Sequence, residues 1–144
     1  MDIDVETPET SYELCVSDVL TDCVADLLQA AIRLHQGNNA VQIFFWGEPS
    51  TDTWHIVCDD GTLHIKHYYS DETILDRFLV PERRLGQLKD HCTTNLYHFS
   101  EEIIRFVNQI SETIDRDVYE SHEGWDHPFP TEKLVLLNKL RRKK

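Results

Sequence analysis

Histidine is the residue type that most invites a chemical reading, with eight in 144 residues. His55 and His64 fall in two strand-like segments, and His91-Cys92 and His98 follow close behind, so imidazole and thiolate donors could meet on one sheet face. Their spacings match no ligand pattern, however, and zinc needs three or four converging donors. Polar side chains on the solvated face of a half-buried sheet account for them, and no bound metal is expected. The cysteines at 15, 23, 58 and 92 form no CxxC pair and read as reduced, mostly buried thiols. Glycines at 37, 47, 61, 86 and 124 are too widely spaced for a phosphate-cradling loop, and no GxSxG, HExxH or EF-hand pattern occurs. No catalytic residue and no cofactor is assigned.

Charge is the most informative global property. Residues 1–60 hold twelve acids and one base, Arg33, for a net −11, whereas residues 61–144 are nearly balanced at −1. Five bases crowd into Lys139-Leu140-Arg141-Arg142-Lys143-Lys144. A nucleic-acid binder needs a basic surface to neutralise phosphates, and only this tail offers one, so direct nucleic-acid binding is disfavoured and a basic protein partner is permitted. No apolar run approaches the roughly 18 residues of a membrane span, and the acidic start Met1-Asp2-Ile3-Asp4 lacks the pattern of a secretory signal, so a cytoplasmic location away from membranes is expected.

The elements that must position these groups follow from periodicity. The length suits a single domain over 1–144, with residues 1–10 a loose arm and 141–144 a basic tail that buries nothing. Leu20, Val24, Leu27, Ala31 and Leu34 predict a helix over 18–36, capped by Ser17 and stopped by Gly37-Asn38-Asn39. On its far side Asp18, Asp22 and Asp26 would form an acidic ridge at i, i+4, i+8. The run 41–46 is apolar on both faces and predicts a central strand, with Glu48-Pro49-Ser50-Thr51-Asp52 as a turn. Asp60-Gly61 predicts a tight hairpin joining strands 53–59 and 62–69, with Trp54, Ile56, Cys58, Leu63, Ile65, His67 and Tyr69 toward the core. A further strand is expected over 73–80, a short helix over 82–89 and a closing strand over 95–99. Ser100 would then cap a helix over 101–116 with Ile103, Val107, Ile110 and Ile114 inward. Trp125-Asp126-His127-Pro128-Phe129-Pro130 reads as an aromatic plug that sets up a last helix over 131–140 on Leu134, Leu137 and Leu140. A helix, a run of strands and further helices imply an α+β fold, an antiparallel sheet of four to five strands with helices packed against it.

The strand ending in Trp46-Gly47-Glu48-Pro49, Trp54 opening the next strand, the Asp59-Asp60-Gly61 hairpin and the Trp125-x-His127-Pro128-Phe129-Pro130 segment before a leucine helix resemble small acidic immunity proteins of bacterial polymorphic and contact-dependent toxin systems. That resemblance implies an antitoxin that binds a toxin domain, and it brings no catalytic residue with it. Toxin domains that attack nucleic acid are basic, so the partner-binding residues expected here are Asp18, Asp22, Asp26, Glu48 and Asp52, meeting Lys and Arg around the toxin's active site. The alternatives are an adaptor or regulatory protein without a toxin partner, and a metal-dependent enzyme using the histidine-rich sheet face.

Overall fold

The computed structural model of the chain describes residues 2–16, 22–47, 49–74, 79–113 and 129–142. Six strands run Asp2–Glu6 (β1), Ser11–Cys15 (β2), Ala40–Trp46 (β3), Thr51–Asp59 (β4), Thr62–Ser70 (β5) and Gln87–Asn95 (β6). Three α-helices occur among the described residues: Cys23–His35 (α1), Leu96–Thr113 (α2) and Thr131–Arg142 (α3). The fold is α+β. β3-β4-β5-β6 form an antiparallel meander, β1 and β2 a separate antiparallel ribbon, and the helices pack on the sheet. Among the described residues no helix is long and apolar enough to cross a membrane.

The β4–β5 hairpin forms as its turn residues dictate. Asp60 and Gly61 both adopt positive φ, 50° and 80°, which a two-residue turn of this hand requires. The register pairs Trp54 with His67, Ile56 with Ile65 and Cys58 with Leu63, as the alternation predicts. Ile56, Leu63, Ile65 and His67 are buried on the inner face. Val41, Ile43 and Phe45 of β3 extend that face, and Val24, Leu28, Ala31, Ile103, Val107 and Leu137 from the helices complete one core. A smaller cluster on the outer face joins Tyr68, Val80 and Leu85 to Phe44 and Ile74.

Several expectations change. Residues 1–10 are not a loose arm: Ile3 and Val5 alternate inward from β1, and Thr7 closes the turn by accepting from Thr10 N–H at 3.0 Å. α1 begins five residues later than expected because Asp22, not Ser17, caps it, accepting from Ala25 N–H at 3.1 Å. β3 lies at the edge of its sheet rather than the centre; its two apolar faces meet the helices on one side and the outer cluster on the other. Thr51 and Asp52 belong to β4, not to a turn. Of the strand expected over 73–80, residues 73–74 and 79–80 are not in a strand and 75–78 lie outside the described residues; the chain at 72–74 is pinned to β4 by Thr51 Oγ1, which donates to Glu72 O and accepts from Ile74 N–H. The Gln42 amide does the same for Val80, accepting from its N–H at 2.7 Å and donating to its carbonyl at 2.8 Å. The expected helix over 82–89 shrinks to one 3-10 turn, Glu82–Arg84, and β6 begins at Gln87. The closing strand at 95–99 is instead the first turn of α2, where the Asn95 side chain accepts from His98 N–H at 2.7 Å. Ser100 sits buried inside that helix, its hydroxyl donating to Leu96 O.

Of the aromatic segment 125–130, residues 125–128 lie outside the described residues, as do Ser17, Asp18, Glu48 and Ile114. Phe129 is buried in the core just before α3, where a plug would place it. The tail is less idle than expected. Arg141 continues α3, donates to Glu101 at 3.1 Å and lies over the Tyr97 ring.

Candidate functional site

The β1–β2 ribbon has two unlike faces because its strands alternate strictly. Ile3, Val5, Tyr12 and Leu14 turn toward the core, and Asp2, Asp4, Glu6, Glu13 and Cys15 turn to solvent, with Glu9 exposed at the tip. The register sets Asp4 directly opposite Glu13. Like charges facing each other across a ladder destabilise it. Among the described residues no cation lies within ion-pair distance of Asp4, Glu6, Glu9 or Glu13. Asp2, Glu13 and Cys15 bring potential ligand atoms within 4.8 Å of one another, all exposed. A hydrogen bond to Asp2, slight desolvation and the nearby charges of Asp2 and Glu13 push the exposed Cys15 thiol above its ordinary range, so it stays protonated at neutral pH.

Beneath the ribbon a polar cluster anchors it to the sheet. The Tyr12 ring stacks on His67 at 4.4 Å and 10°, and its hydroxyl accepts from Trp54 Nε1 at 3.0 Å. His67 Nε2 meets Asp52 Oδ1 at 2.7 Å, with both side chains largely buried, while Nδ1 has no hydrogen-bond partner among the described residues. Burial is the main reason the Tyr12 hydroxyl is held far above its ordinary pKa.

Between β1, β6 and α2 lies a partly open groove of about 350 Å³. Leu27, Ile65, Phe99 and Ile103 line its depth, and Asp4, Glu6, His98, Glu102 and Arg105 its polar margin.

The acidic residues expected to bind a partner are a helix ridge of Asp18, Asp22 and Asp26 together with Glu48 and Asp52 after the strand expected at 41–46. Asp18 and Glu48 lie outside the described residues. Asp22 serves as the cap of α1 and Asp26 stays exposed in its first turn, whereas Asp52 belongs to β4 and is drawn inside against His67. The ribbon acids were absent from that set because residues 1–10 read as a loose arm; the alternation Asp2-Ile3-Asp4-Val5-Glu6 was the signal that places them on one face.

The histidines are dispersed too. His64 and His91 approach on the outer face with ring centroids 6.1 Å apart. His55 lies between Gln42 and Glu82, Cys92 turns to the opposite face from His91, and His98 belongs to α2. Glu82 gathers Tyr68, Lys66 and His55, and the Tyr68 hydroxyl, donating at 2.6 Å, is the main cause that lowers its carboxyl pKa. Of the cysteines, all free, Cys23 is fully buried and pushed up to about 12 by burial, whereas Cys15 is exposed, contrary to expectation. No family model matches the chain, and no curated protein or solved structure shows significant similarity to it.

Proposed function

We propose that this chain is an immunity protein, a stoichiometric binder that neutralises a cognate bacterial toxin domain by laying an acidic face over its basic active site or substrate path. The observation that carries the reading is the solvent face of the β1–β2 ribbon, where Asp4 opposes Glu13 in register and Asp2, Glu6 and Glu9 stand beside them. Folding gains nothing from that arrangement, since like charges across a ladder oppose it. A basic partner would reverse the sign of the interaction, and charge complementarity would raise the rate of encounter. The net −11 of residues 1–60 supplies the long-range field. The protein would act in the cytoplasm, where a toxin domain meets its target, and needs neither cofactor nor metal for this role. The test is growth rescue. Cells producing the product of the reading frame beside this gene should survive when this chain is co-expressed, and the two should co-purify in equal amounts. No toxicity from that product, or no rescue, would favour an adaptor with a different partner.

A further inference from the structure

The groove between β1, β6 and α2 is distinct from the acidic face, though Asp4 and Glu6 border both. Its volume of about 350 Å³ lies at the lower end of the range for ligand sites, roughly 300–1,000 Å³. That is room for one or two large side chains rather than a cofactor. Its depth is apolar, from Leu27, Ile65, Phe99 and Ile103. Its margin is not neutral: Arg105 is spent on Glu102, which leaves Asp4 and Glu6 as the uncompensated charges. Two strands line it, β1 through Ile3 to Glu6 and β6 through Cys92 to Thr94. Each is hydrogen-bonded to another strand on one side only among the described residues. Strand edges offer backbone donors and acceptors to an extended chain, and alternate side chains of that chain can then enter a pocket.

We infer that this groove takes an extended segment of a partner protein, one that carries a large apolar anchor flanked by Lys or Arg. The anchor enters between Phe99 and Ile103, the flanking cations meet Asp4 and Glu6, and the main chain runs along a strand edge. The inference rests on reading the chain as a protein-binding module but does not require the partner to be a toxin. A groove that fails would leave growth rescue by the acidic face untouched.

The test titrates the ¹⁵N-labelled full chain with two capped peptides, Lys-Arg-Phe-Leu-Arg-Lys and Glu-Glu-Phe-Leu-Glu-Glu. The basic peptide should move the amide signals of Val5, Thr93, Phe99 and Ile103 and bind at least about tenfold more tightly than the acidic one. The double substitution Asp4→Asn with Glu6→Gln, at exposed positions that folding does not need, should weaken it about threefold. Raising ionic strength from about 0.05 to about 0.3 M should do likewise. Equal binding of both peptides, shifts that map away from the groove, or no shift at millimolar peptide would overturn the proposal. So would protein-concentration-dependent shifts of the same signals without peptide, which would make a second copy the occupant.

Discussion

Asp4 and Glu13 face each other across the ribbon, and like charges so placed oppose the ladder. Replacing Asp4 with Asn removes the repulsion while keeping size and polarity. The melting temperature should rise by about one or two degrees, and a fall would show that the carboxylate serves the fold. His55 gives a second prediction. Burial, its largest influence, lowers its pKa from 6.5 against the opposing pull of Glu82. A histidine that binds protons less well when folded contributes stability above its unfolded pKa and loses it as pH falls through the folded one. Stability should therefore decline as pH drops below about 6.5, and His55→Gln should flatten that decline in melting curves at successive pH values. Residue roles were the least legible part of the sequence. Asp22 looked like one member of a ridge because spacing does not reveal where a helix begins, and Asp52 looked like turn material because its partner, His67, is fifteen residues away on the next strand.

At the scale of elements, legibility followed local chemistry. The Asp60-Gly61 turn, α1 beyond its first turn and the leucine face of α3 were readable because each depends on neighbours in sequence. The stretches 71–74 and 79–80 were not, because side-chain clamps from Thr51 and Gln42 hold them, and those contacts span more than twenty residues. Gly86 shows the same dependence. Its φ is +96°, and a Cβ there would sit 2.1 Å from Tyr69 O, so Gly86→Ala should destabilise the protein strongly and disturb the start of β6 in hydrogen exchange. An unaltered melting point would mean that the β5–β6 approach is looser than described. At the other end, Arg141 is docked on Glu101 and Tyr97. Deleting residues 141–144 should cost about 1 kcal/mol, or about two to four degrees of Tm. Leu137→Ala, at a fully buried position of the same helix, should cost about 2–5 kcal/mol.

For the whole molecule, charge asymmetry was legible from composition, and the fold converts it into a surface. β1, β2 and the turn between them place five carboxylates on one ribbon, while Lys139, Arg141 and Arg142 collect in the last turn of α3. A sheet with its helices supplies the rigid support, and the Tyr12 contacts with Trp54 and His67 fasten the ribbon to it. If the ribbon meets a basic toxin, as proposed, the salt dependence of association will report it. Stopped-flow rates with the neighbouring gene's product should fall steeply as ionic strength rises. The triple variant Asp4→Asn, Glu6→Gln, Glu13→Gln should associate about tenfold more slowly at low salt, with a flatter dependence. A triple variant as fast as the parent, with the same salt slope and full protection of cells, would place the binding surface away from the ribbon.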